Sequence, residues 1–216
     1  MIIYGSTLSP FVRKVVAVAG EKGLEFELQP TGFPGHGPEF LEASPLKKMP
    51  AIRDGTFTLA DSSAIIHYLD CKYPEPALIP ADPEERGRAI WFDEFADTVL
   101  IACGAKIFFN RIVAPLFMGR EGDEAAAAKA EAEELPLILA YVERVAPDPG
   151  DFLVTDRLTI ADIAIAMPFA NLRQAARSLD EGDYPRAFAF ADSILSRLSI
   201  APWLERERAI LDKASA

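Results

Sequence analysis

Apolar positions in the first third of the chain follow two periods in turn. Ile2 to Tyr4, Glu25 to Gln29, Ala51 to Arg53 and Phe57 to Leu59 are short runs of strand character. Between the first two, Val12, Val15, Val16 and Ala19 recur at i, i+3, i+4 and i+7. That stripe predicts an amphipathic helix over Pro10 to Lys22, stopped by Gly23. A Gly/Pro-rich loop, Pro30 to Pro38, leads into a short helix over Glu39 to Ala43, and a turn at Asp54-Gly55 joins the last two strands before a helix over Ser62 to Tyr73. The order is a βαβ unit followed by a hairpin and a helix.

Pro74, Pro76, Pro80 and Pro83 then crowd a short stretch with Ala81 and Asp82, a composition that ends one unit and links it to another. From Glu84 onward the period is helical. Phe92, Phe95, Ala96, Val99 and Cys103 form one helix face, and Leu135, Ile138, Leu139, Val142 and Val145 another. Pro136 and Pro168 fall inside helical patterns and predict a kink or boundary near each. The Ala-, Glu- and Lys-rich run Glu124 to Glu134 reads as a solvated helix. The expected division is a mixed α/β unit over 1–78 and an all-helical unit over 84–216, with no internal repeat.

Composition narrows the partners. Half of the residues are hydrophobic and a quarter charged, as in an ordinary globular protein. The formal net charge of -11 and pI near 4.7 set a global field that repels nucleic acid and anionic membrane. An anionic ligand must therefore be held by local cations or backbone N–H groups. Cys71 and Cys103 lie in apolar helical runs without metal or Cys-x-x-Cys spacing, which predicts buried thiols in a reducing compartment and no metal site. No uncharged apolar stretch reaches the roughly 18 residues of a membrane helix, and the N-terminus lacks signal-peptide organisation. The expected location is the cytoplasm.

Residues 47 to 66 hold the densest chemistry. Met49-Pro50 precedes a strand, and Asp61-Ser62 opens an apolar helix, so exposed backbone groups and a helix N-terminus are held together by the intervening hairpin. Ser9 stands before Pro10 at the N-cap position of the first predicted helix. No Gly-x-Ser-x-Gly elbow is present, and His36 and His67 are the only histidines. A serine-hydrolase triad has little support.

Taken in order, Ser9-Pro10-Phe11-Val12-Arg13-Lys14, the run Pro38 to Pro50, Asp61-Ser62-Ser63-Ala64-Ile65 and Thr159-Ile160-Ala161-Asp162-Ile163 resemble the glutathione transferase family, specifically its soluble, serine-type, bacterial-like members. The resemblance implies a thioredoxin-like N-terminal domain, an all-α C-terminal domain, and detoxifying conjugation of glutathione, as co-substrate, to a small hydrophobic electrophile. It also admits glutathione-dependent isomerase, dehalogenase or peroxidase chemistry, and a non-catalytic binding protein on the same fold. By the same resemblance Ser9 donates a hydrogen bond to the glutathione sulfur, with Ser6 and Thr7 as alternatives. Cysteine is absent from all three positions, which argues against the thiol-disulfide branches.

The arithmetic suits that role. A thiol of pKa about 8.5 needs a drop of about two units, or about 2.7 kcal/mol, to be mostly ionised near neutrality. One charge-assisted hydrogen bond supplies roughly 1.5 to 3 kcal/mol and a helix N-terminus up to about 1 more. The resemblance further implies that Met49 and a cis Pro50 bind the cysteinyl unit through backbone groups, that Asp61 and Ser62 hold the γ-glutamyl end, and that Lys48, Lys47 or His36 meets the glycyl carboxylate. Thr159 and Asp162 are structural, as a capping box. Ser44-Pro45 stands where the family commonly has Asn-Pro, and Lys47 where it has glycine. A homodimer is implied as well. Phe11, Phe33, Phe108, Phe109 and Phe117 are aromatic candidates for the electrophile pocket or for the core, and none is assigned to the site.

Overall fold

The computed structural model describes residues 1–31 and 37–215. Its first part is a four-stranded sheet of order β2-β1-β3-β4, with strands Ile2–Tyr4 (β1), Glu27–Gln29 (β2), Ala51–Asp54 (β3) and Phe57–Ala60 (β4). β1 runs parallel to β2 and antiparallel to β3, and β3 and β4 form the hairpin. β2 is shorter than the sequence predicts, because Glu25 and Phe26 have no strand partners.

The period of two sorts β1 and β3 onto two faces. Ile3 and Ile52 join Val12, Val15 and Val16 of helix α1 (Pro10–Glu21) and Ile65, Ile66 and Leu69 of α3 (Ser62–Lys72) in one core. Tyr4 and Ala51 point the other way, against Phe40 and Ala43 of α2 (Pro38–Ala43). Gly5 follows β1 at φ +148°, and a Cβ there would come within 2.5 Å of Val12, so the chain turns closely over α1 only with glycine.

The second part is entirely helical among the described residues. It comprises α4 (Pro83–Phe95), α5 (Ile101–Phe108), α6 (Ala114–Met118), α7 (Glu124–Lys129), α8 (Leu135–Val145), α9 (Ile160–Ala175), α10 (Pro185–Leu195) and α11 (Ala201–Ser215), with one 3-10 turn at Glu181–Asp183. Helix α9 lies at its centre, with Ile160 to Met167 fully buried or nearly so. The Thr159–Asp162 capping box opens α9, the Thr159 amide and hydroxyl donating to Asp162 Oδ2 at 2.8 and 3.0 Å.

Single π turns interrupt the long helices at Ala96–Leu100, Phe109–Val113 and Ala130–Glu134. Two departures from the sequence pattern lie at or beside them. Leu100 rather than Val99 carries the stripe between Ala96 and Cys103, at the equally helical spacings of four and three, and Val99 is exposed. The 124–134 run is likewise not simply solvated. Ala127 and Ala130 are buried, and Glu131 accepts hydrogen bonds from Arg111 and the amides of Arg177 and Ser178.

Pro136 falls at the start of α8, while α9 continues through Pro168. Cys103 is buried as expected. Cys71 is exposed, because the core stripe of α3 runs through Ile65, Ile66 and Leu69 and turns residue 71 outward. The helix Pro83–Met118 contains a window apolar and long enough to cross a membrane, with hydropathy 1.6. Part of its apolar side, Leu100, Cys103, Ile107 and Phe108, packs in the domain core, while Lys106 pairs with half-buried Glu134 and Arg111 with exposed Glu124 and buried Glu131.

Candidate active site

Antiparallel register gathers three segments at one end of the sheet. Tyr4 ends β1 opposite Ala51, which begins β3, and Ala51 faces Ala60, which ends β4. The loop after β1 with Ser6, Thr7 and Ser9, the Lys48-Met49-Pro50 segment, and the Asp61-Ser62 start of α3 therefore meet. Met49 Cβ lies 3.4 Å from the Cβ position of Gly5, and the Asp61 amide donates to the Pro50 carbonyl at 3.3 Å.

The Met49–Pro50 peptide is cis. No described residue hydrogen-bonds the Met49 amide or carbonyl, so both remain open to an added strand. The segment before it is fixed by Ser44, whose hydroxyl donates to the Lys48 carbonyl at 2.6 Å and accepts from the Lys48 amide at 3.1 Å. Buried Ser44 is thus a clamp, a role the sequence reading did not give it. Lys47 takes a left-handed φ of +59°, the backbone that favours glycine, and both Lys47 and Lys48 are exposed, with no ion pair among the described residues. His36 lies outside the described residues.

Asp61 caps α3, accepting from the Ala64 amide at 3.0 Å, and itself sits at φ +84°. The amides of Ser62 and Ser63 keep no partner among the described residues, so the helix opens with free donors and the positive end of its dipole. Ser62 is buried, and its hydroxyl reaches Asp97 at 3.4 Å.

Ser9 occupies the N-cap position of α1 with extended backbone, φ -81° and ψ 122°, yet its side chain makes no capping hydrogen bond. Ser9 is half-buried, and its hydroxyl has no hydrogen-bond partner among the described residues. Ser6 accepts weakly from the Leu8 amide at 3.4 Å, and Thr7 is buried. Of the three, Ser9 alone combines a free hydroxyl with a helix N-terminus.

Two family models match in succession, the glutathione S-transferase N-terminal domain over residues 3–77 and its C-terminal domain over 108–207. Glutathione S-transferase 3 of Zea mays is 32% identical over 166 residues, covering 74% of this chain and 72% of that one. The chain belongs to the glutathione S-transferase family. Two bacterial glutathione S-transferase structures have the same fold. That of Rhodospirillum rubrum matches at TM-score 0.84, 24% identity and coverage of 94% and 90%. That of Methylobacterium radiotolerans, a complex with glutathione sulfonate, matches at TM-score 0.77, 26% identity and coverage of 94% and 93%.

In this glutathione S-transferase, helix α1 also carries two buried cations that the sequence pattern did not reveal. Lys14 Nζ donates to Asp93 Oδ1 at 2.6 Å and to both Asp97 oxygens at 2.9 and 2.8 Å. Ser63 joins them, its hydroxyl donating to Asp93 at 2.6 Å. Burial pushes the Asp97 pKa up and the Lys14 ammonium opposes it, with the net shift upward. Arg13 turns toward α9 and α11, where Glu207 meets it with both oxygens. Adjacent charges beside an apolar stripe were the available signal, but no local spacing names the distant acids that meet them. Among the described residues no group of three or more His, Cys, Asp or Glu is arranged to hold a metal. Of the phenylalanines, Phe108 is buried, Phe11, Phe109 and Phe117 are half-buried, and Phe33 lies outside the described residues.

Proposed function

We propose that this glutathione S-transferase conjugates the glutathione thiolate to a small hydrophobic electrophile, with Ser9 as the residue that stabilises the thiolate. The observation that carries the reading is the unengaged Ser9 hydroxyl at the N-terminus of α1, in the loop packed beside the open Met49 backbone. A bound peptide thiol would add a strand against Met49. Its γ-glutamyl carboxylate would take the free Ser62 and Ser63 amides and its amine the Asp61 side, while Lys48 meets the glycyl carboxylate. The chain is a serine-type, bacterial-like member on this reading, working in the cytoplasm in detoxification without a metal.

The domain boundary proposed is the proline-rich link after residue 78, with the second domain beginning near 84. A homodimer is proposed from the apolar groups left outside the fold, Leu46 at 81% exposure, Trp91 at 49% and Phe57 at 44%.

The test is the ultraviolet thiolate absorbance of bound glutathione against pH in wild type and Ser9→Ala. A thiolate pKa well below about 8.5 that rises in the variant supports the mechanism. Binding with the same pKa in both moves the role to Ser6 or Thr7, and no binding favours a non-catalytic member of the family.

A further inference from the structure

We infer that Asn171 of helix α9, in the helical domain, is the positioning residue for the Ser9 loop. Its Nδ2 donates to the Leu8 carbonyl at 2.8 Å, and its Oδ1 accepts from Arg13 Nη1 at 3.0 Å. Both contacts are buried, with Asn171 at 4% exposure. The two partners leave the amide one orientation. A guanidinium only donates and a carbonyl only accepts, so Oδ1 must face Arg13 and Nδ2 must face Leu8.

Arg13 is itself fixed. Nε and Nη2 are held by Glu207 of α11 at 2.9 and 2.7 Å, and Nη1 also donates to the Met167 carbonyl at 2.6 Å. The chain of contacts runs from the last helix through Arg13 and Asn171 to the peptide joining Leu8 and Ser9. Among the described residues that peptide is otherwise held only at its other end, where the Ser9 amide donates to the Ser6 carbonyl at 2.9 Å. The Ser9 side chain makes no capping bond, and on its C-terminal side the Ser9 carbonyl accepts from the Arg13 amide at 3.0 Å, so the Asn171 hydrogen bond and the Ser6 turn set the N-terminal side of Ser9 and with it where the hydroxyl points. A hydroxyl that must reach a sulfur gains from being held in place before the ligand arrives.

The inference rests on the Ser9 reading, and the test separates them. Asn171→Asp keeps an acceptor for Arg13 but removes the donor to Leu8. Bound-glutathione thiolate absorbance against pH, kcat and glutathione KM with chlorodinitrobenzene, and Tm are measured for wild type, Ser9→Ala and Asn171→Asp. The expected result for Asn171→Asp is a thiolate pKa raised by about half a unit or more and kcat lowered about threefold or more, with glutathione KM within about twofold; Tm falls as well, because the new carboxylate is buried against the Leu8 carbonyl. A purely structural contact would change Tm without moving the thiolate pKa. Asn171→Asp with wild-type pKa and kcat, beside a Ser9→Ala that raises the pKa, overturns the inference alone. A Ser9→Ala that leaves the pKa unchanged overturns the Ser9 reading and, with it, the positioning role. If the aspartate variant does not fold, Asn171→Ser, which adds no charge and cannot span to Leu8, is judged by the same outcomes.

Discussion

Arg13 and Glu207, 194 positions apart, form a two-pronged ion pair at 2.9 and 2.7 Å with both side chains fully buried. Removing one member of such a pair leaves a charge without solvent or partner. Glu207→Ala is expected to cost about 3–5 kcal/mol in urea unfolding. A loss below about 1 kcal/mol would mean that water or another acid replaces the carboxylate.

Asp162 accepts from the Leu153 amide at 2.7 Å as well as from Thr159, and has no exposed surface. Burial pushes its pKa up and the donors from Leu153 and Thr159 pull against this, leaving a net rise. Asp162→Ala orphans those donors and should cost about 1–3 kcal/mol in thermal or urea melts, with kcat per folded molecule retained. Unchanged melting with lost turnover would assign the residue a part in the chemistry.

Lys47 pays the side-chain penalty of left-handed backbone at φ +59°. Relief of about 1–2 kcal/mol of steric cost, less the extra freedom glycine gives the unfolded chain, makes Lys47→Gly stabilising by about 0.5–1 kcal/mol. A fall in the unfolding midpoint would show that the lysine side chain contributes a contact outweighing its backbone strain.

Glu21 joins α1 to the turn before α11, accepting from Arg197 at 2.7 and 2.8 Å and from Ser199 at 2.5 Å. Burial raises its pKa, but the Arg197 and Ser199 hydrogen bonds outweigh that and hold it below the ordinary glutamate value. A depressed folded-state pKa means the contribution is complete above the unfolded value of about 4.3 and is lost as pH falls through the folded one. Glu21→Gln should therefore lower stability at neutral pH and narrow its gap from wild type in acid. A gap constant from neutrality to pH about 3 would remove the ionised carboxylate from the account.

The two thiols should be distinguishable. Cys103 is buried, and desolvation with the nearby Glu134 charge pushes its pKa up to about 11, whereas Cys71 is exposed. A disulfide reagent at neutral pH should titrate one thiol in the native protein and both in denaturant. Equal native rates would contradict the buried Cys103.

Much of the site was readable because its parts are local. The stripe through Val12, Val15 and Val16, the Asp54-Gly55 turn and the Asp61 cap each depend on residues a few positions apart. What escaped depends on distance along the chain or on a register that propensity does not encode. Arg13 and Lys14 are plain in the sequence, but the acids that meet them, Glu207, Asp93 and Asp97, come from the second domain and no local spacing names them. Val99 and Leu100 both fit a helical stripe between Ala96 and Cys103, and only the packing of the folded domain makes Leu100 the buried one. Ser9 was legible as an N-cap by position, but the rule for caps does not say whether the hydroxyl is used, and here it is not. Cys71 was the avoidable error, since it falls off the stripe that Ile65 and Leu69 define.

Helix α1 gives the first domain its hydrophobic centre and sends Arg13 and Lys14 into the second, each to a fully or almost fully buried acid. Cutting the chain at the proline-rich link would strand both cations in one fragment and their counter-ions in the other. Neither half is therefore expected to fold alone, and heat or urea should melt the whole polypeptide in one cooperative step.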